Sequence, residues 1–196
     1  MQYYIYSLFC FLLPGTVWLI WNKAMIADKA YKTRHIIWIY IYMFYGYLAV
    51  QEAAGIGTIW DLITYGKLDN SINLIPFSSE GAMTYILNII MFMPLGFLLP
   101  LIWKNFRNAK KVVLMGFLMS LAIEICQLFN IRTTDIDDLM MNTLGTLVGY
   151  CCWKVFSLIF RNAGTKCVEM KKSEPVIYMF GGILGLFLLY NWRVFN

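Results

Sequence analysis

Charge is scarce in this chain. Only 14% of its 196 residues are Asp, Glu, Lys or Arg, whereas 60% are hydrophobic and 17% aromatic. One soluble core of this size does not need so much apolar surface, and a mean hydropathy of +0.63 makes hydrocarbon the expected solvent. With a single histidine, His35, the sequence has no His-Glu-x-x-His zinc arrangement, and it has no Gly-x-Ser-x-Gly elbow. The five cysteines are odd in number and form no Cys-x-x-Cys pair, which speaks against a disulfide framework or a thiolate metal site. They read as small packing residues. His35 lies beside Lys32 and Arg34 and reads as a solvated group next to the membrane. Met1 to Phe11 contains no Lys or Arg, so the basic start of a cleaved leader is missing and the first apolar run is expected to stay in place. Neither an internal repeat nor a low-complexity tract is evident, and no basic cluster exceeds what loops at a membrane ordinarily carry, so nucleic acid is not an expected partner.

What the chain does have is apolar runs. They extend from Tyr3 to Trp21, Ile36 to Ala54, Gly81 to Trp103, Val112 to Phe129, Leu139 to Phe160 and Val176 to Trp192. About 20 apolar residues cross about 30 Å of hydrocarbon as a helix. The fold expected is therefore all-α, a polytopic membrane bundle of about six transmembrane helices. Pro14, Pro94 and Pro100 interrupt runs that neighbouring helices can still satisfy, so each is expected to kink its helix without ending it. Residues 1–54 form an N-terminal helix pair, 55–160 the core, and 161–196 a loop with the last helix. Within 55–160, Ile56 to Tyr65 reads as a short helix at the membrane interface, followed by a loop through Asn73 and Phe77.

Orientation follows from the basic residues. Lys23, Lys29, Lys32 and Arg34 lie between runs one and two, Lys104, Arg107, Lys110 and Lys111 between three and four, and Arg161, Lys166, Lys171 and Lys172 between five and six. Positive loops stay inside, which puts both termini outside. Asp61, Asp69, Glu80, Asp135, Asp137 and Asp138 then fall on the outer side. The net charge of +5 thus conceals an asymmetry that suits contact with anionic lipid on the inner face.

Four polar groups converge on the outer side. Asn73 and Phe77 flank Pro76 before run three, and Asn88 and Phe92 lie one turn apart inside that run. Glu124 and Gln127 share a face near the end of run four at i, i+3 spacing. Arg132 precedes Asp135, Asp138, Asn142 and Gly145, which occupy one stripe of a helix. A carboxylate at Glu124 requires a partner when it lies in the membrane, and Arg132 is the natural one. Plainer roles compete with ligand binding. Asp135 or Asp137 suits the cap of run five, and Gly145 with Gly149 suits close helix packing. Capping accounts for one or two of the three aspartates but not for all. No metal or cofactor is expected.

The ordered pieces Asn73-Leu-Ile-Pro76-Phe77, Asn88 to Gly96, Glu124-Ile-Cys-Gln127 and Arg132-Thr-Thr-Asp135-Ile-Asp137-Asp138, with Asn142-Thr-Leu-Gly145, resemble the signature of VanZ-like proteins. The resemblance is strongest over residues 70–155, and Thr134 departs from the bulkier residue expected there. It implies a Gram-positive plasma membrane and an association with resistance to teicoplanin, a lipoglycopeptide, by a mechanism not established as enzymatic. The function expected is binding of an amphiphile, such as a lipid, a lipid-linked wall precursor or the drug, at the outer face. Asn73, Asn88, Glu124, Gln127, Arg132, Asp135, Asp138 and Asn142 would line the site, with Phe77 and Phe92 as apolar walls, and Arg132 would offer a planar fork of donors to phosphate or carboxylate. The alternative is a membrane-embedded enzyme acting on a lipid or wall intermediate, with the outer carboxylates as base or cation ligands.

Overall fold

Every one of the six apolar runs is a helix. The computed structural model describes residues 2–22, 29–65, 72–77, 81–129, 134–160 and 171–195. In chain order the helices are α1 (Gln2–Asn22), α2 (Lys29–Tyr47), α3 (Ile59–Tyr65), α4 (Ala82–Ile102), α5 (Ala109–Gln127), α6 (Ile136–Ile159) and α7 (Glu174–Leu189). A π-helical turn, Leu48–Ala54, continues α2 and ends where Gly55 takes φ 65°, its N–H returning to the Val50 carbonyl. Two short extended pieces, β1 (Ile72–Asn73) and β2 (Thr134–Asp135), pair in parallel with Asn73 opposite Asp135. The fold is all-α apart from that bridge. Among the described residues, α1 and α4 are long and apolar enough to cross a membrane, and α7 is a shorter apolar helix.

The prolines sit inside helices, as their context predicts: Pro14 in α1, and Pro94 and Pro100 in α4. Close to Pro94, the Tyr45 hydroxyl of α2 donates to the Met91 carbonyl at 2.9 Å. Hydrogen bonds from a neighbour are what a proline-interrupted helix draws on where water is absent.

Glycine decides how the helices meet. A Cβ on Gly145 would overlap the Ile89 carbonyl, one on Gly149 the Met93 carbonyl, and one on Gly96 the Thr146 carbonyl. The backbones of α4 and α6 therefore touch directly, the packing reading of Gly145 and Gly149. Likewise a Cβ on Gly185 would meet the Cys10 carbonyl and one on Gly182 the Phe11 ring, so α7 lies tightly on α1. Phe11, Tyr42, Phe92, Leu95, Leu99, Met119 and Tyr178 fill the apolar interior.

His35 is not a solvated surface group. It is 5% exposed, and its Nε2 lies 2.8 Å from Oε1 of the fully buried Glu174. Tyr178 donates its hydroxyl to the same oxygen at 3.2 Å, and the imidazole stands edge-on to Trp103. The basic neighbours of His35 suggested water, but its partner comes from a helix 139 positions away, a distance at which no periodicity reaches. Cys10 and Cys126 are buried and Cys151 and Cys152 exposed, all four as free thiols, while Cys167 lies outside the described residues.

Candidate functional site

Asp135 starts the polar end of the bundle. Its extended backbone makes it the N-cap of α6, where its Oδ1 accepts the Asp137 N–H at 2.9 Å. Oδ2 accepts the Asn73 side-chain amide at 3.0 Å, so the residue opposite Asp135 in the bridge is held by side chain as well as backbone. The Asp135 N–H in turn reaches Oε2 of Glu124 on α5 at 3.2 Å. One aspartate thus joins the start of α6, the loop before α4 and the end of α5. The capping role weighed for it is real, and it is only part of what the residue does.

Asp137 is completely buried. Both of its oxygens accept the Phe77 N–H at 2.9 Å, and Oδ2 also takes the Tyr85 hydroxyl at 2.8 Å. Phe77 has φ 60°, a left-handed conformation that a bulky residue adopts only under compulsion. The residue is 63% exposed, and its ring meets the Tyr85 ring edge-on at 6.0 Å.

Beneath this clamp, α4, α5, α6 and the π turn enclose a cavity of about 510 Å³. Asn88, Glu124, Gln127, Asp138 and Asn142 all line it, together with Ala54, Thr84, Leu87 and Ile90. The Asn88 amide donates to Asp138, the Gln127 amide to the Ala54 carbonyl at 3.0 Å, and the Asn142 amide to the Ser120 hydroxyl at 2.9 Å. Asn142 is 2% exposed, and its Oδ1 has no hydrogen-bond partner among the described residues. An unpaired buried carbonyl costs on the order of 1–3 kcal/mol, so such groups in a folded protein need an explanation.

Five of the ten residues expected at the site therefore share one cavity, while Asn73, Asp135 and Phe77 form the clamp above it. Phe92 is fully buried in the apolar core and is not part of the cavity wall. Arg132 lies outside the described residues. Sequence reasoning left Asp137 off the ligand face because it sits two residues after Asp135, away from the i, i+3, i+7 stripe. Tyr85 and Ser120 were legible by the same spacing that found their neighbours: Tyr85 is three residues before Asn88, and Ser120 four before Glu124. Among the described residues, no three His, Cys, Asp or Glu side chains are grouped as a metal site requires.

Residues 35–158 match the VanZ/LLP1 protein family. The chain belongs to the VanZ/LLP1 family. The Protein VanZ of Enterococcus faecium is 36% identical over 134 residues, which cover 67% of this chain and 77% of that relative. No solved structure matches the chain. Membership in this membrane-associated family, which is linked to teicoplanin resistance, bears out the resemblance read from the four polar pieces. The matched stretch contains every described cavity residue and all of α4, α5 and α6 but the last residue of α6.

Proposed function

We propose that this VanZ/LLP1 member is a multipass protein of a Gram-positive plasma membrane that binds the headgroup of an amphiphile in its α4–α5–α6 cavity and so lowers sensitivity to lipoglycopeptides such as teicoplanin. In this reading α1, α2, α4, α5, α6 and the shorter α7 span the bilayer, both termini lie outside, and the basic loops face the cytoplasm under the positive-inside rule. The cavity then opens in the outer leaflet, where a drug acting on the wall or a lipid-linked precursor is met.

The observation that carries the proposal is the cavity itself, a chamber in which Asn88, Glu124, Gln127, Asp138 and Asn142 meet inside a largely apolar bundle. Asn142 lies about 9 Å along α6 from Ile136, roughly headgroup depth below a helix end. Leu87 and Ile90 on the rim are each 55% exposed, which gives a tail an apolar surface beside a polar chamber. Membrane lipid, a lipid-linked wall precursor and the acylated drug all have that two-part character.

The test is a drug panel on cells expressing Glu124→Gln and Asp138→Asn chains at matched membrane levels. Loss of teicoplanin protection in either variant supports the cavity. Full protection in both removes it from the mechanism, and equal protection against vancomycin removes the role of the acyl tail.

A further inference from the structure

A cavity has its mouth where its lining reaches the exterior. Among the described lining residues, Ala53, Leu87 and Ile90 are exposed, whereas Glu124, Gln127 and Asn142 are buried. The three exposed residues flank one seam, that between α4 and the π turn. The other seams are bridged by side chains. The Asn88 amide donates to Asp138 across α4 and α6, the Asn142 amide to Ser120 across α6 and α5, and the Gln127 amide to the Ala54 carbonyl across α5 and the π turn. Toward the clamp, Glu124 accepts the N–H of Asp135, a residue only 4% exposed, so the clamp roofs the chamber.

Outside the mouth lies apolar surface. Leu87 and Ile90 belong with Met83 and Ile86 to a stripe at i, i+3, i+4 and i+7, and all four are at least half exposed. The stripe runs along α4, one of the helices long and apolar enough to cross a membrane. Leu87 and Ile90 lie about 8 and 12 Å along the helix from Ala82, roughly where headgroups give way to acyl chains.

We infer that the chamber is entered sideways from the lipid phase, through the seam between α4 and the π turn, on the observation that Ala53, Leu87 and Ile90 carry its wall to an apolar exterior. This rests on the proposed amphiphile site and names the source of its occupant: a molecule already dissolved in the leaflet, its head in the chamber and its tail left beside Leu87 and Ile90. A lipid qualifies as it stands. An acylated drug qualifies once its tail is in the bilayer, and a headgroup arriving from water has no route.

The experiment uses the full chain with Cys151, Cys152 and Cys167 replaced, in vesicles of phosphatidylcholine and phosphatidylglycerol that a pore-forming peptide makes leaky, so that both faces meet the reagent. Thr84→Cys on the α4 wall and Ile123→Cys on the α5 wall report from inside the chamber, and Leu74→Cys reports from the exposed loop. The probes are a maleimide on an alkyl tail and a sulfonated maleimide, with labelling followed by intact-protein mass. Relative to Leu74→Cys, the alkyl reagent is expected to label the chamber cysteines about tenfold or more faster than the sulfonated one, since an anion enters hydrocarbon at a cost of more than one decade. Ile90→Trp, which narrows the mouth, is expected to slow the alkyl reagent severalfold at both chamber positions and to leave Leu74→Cys unchanged. Sulfonated reagent that reaches the chamber as readily as the loop overturns the lateral route, and so does a chamber that neither reagent enters. The drug panel on Glu124→Gln and Asp138→Asn separates the two failures. Lost protection with a water-open chamber leaves the amphiphile site standing without the lateral route; full protection with a lipid-open chamber leaves the route and removes the site.

Discussion

Asp137 holds Phe77 in a left-handed backbone conformation, both carboxylate oxygens accepting the Phe77 N–H at 2.9 Å across 60 positions of sequence. The loop before α4 is thereby fastened to the first turn of α6. Asp137→Ala is expected to destabilise the chain by about 2–4 kcal/mol, since it strands the Phe77 N–H and the Tyr85 hydroxyl together. Thermal unfolding in detergent measures the loss. Phe77→Gly is expected to be tolerated better than Phe77→Val by about 1 kcal/mol or more, because glycine accepts φ 60° freely and a β-branched residue does not. Equal melting of the two variants would show that the clamp imposes no strain.

The direct contact of α4 and α6 makes a second prediction. Gly149→Ala drives a methyl into the Met93 carbonyl, a backbone atom that cannot rotate away, whereas a Cβ on Gly181 meets Pro14 only at an ordinary 3.5 Å. The first substitution is expected to cost about 1–3 kcal/mol and the second almost nothing. Parallel melting curves and membrane yields of the two variants check this.

His35 and Glu174 form a buried pair whose members depend on each other. Removing one partner, as in His35→Leu or Glu174→Met, is expected to cost about 3–5 kcal/mol, because the other polar group is left without compensation. The double variant is expected to recover much of that loss. A double-mutant cycle by thermal or chemical unfolding reads the coupling, and additive losses would mean that the two side chains act independently.

Topology is open to chemical labelling. With Cys151, Cys152 and Cys167 replaced to remove competing native thiols, Leu74→Cys is expected to react with a membrane-impermeant maleimide in intact cells. A cysteine at Lys154 is expected to react only after the membrane is opened. The reverse pattern would invert the chain and place the cavity on the cytoplasmic side.

Much of this architecture was legible because long apolar runs announce helices by length: five of the six runs became helices within three residues of their expected ends, and the second became a helix that starts seven residues earlier, at Lys29. The cavity residues were legible for a similar reason. Asn88, Glu124, Gln127, Asp138 and Asn142 are polar residues within or beside long apolar runs, and helical spacing groups them by face. Two contacts were not legible. Asp137 serves a loop rather than its own helix face, and His35 finds Glu174 through tertiary packing of α2 on α7, so local sequence says nothing of either partner. Phe92 shows the limit of spacing by itself: it is one turn from Asn88, yet that turn takes it into the apolar core.

The glycine contacts between α4 and α6 have a mechanical meaning for the cavity they border. Two helices seated backbone against backbone have no compressible side chains between them and no room to slide closer. One jaw of the chamber is therefore rigid. Any widening of the chamber falls to the other jaw, α5 and the π turn, which a hydrogen bond from Gln127 to the Ala54 carbonyl joins.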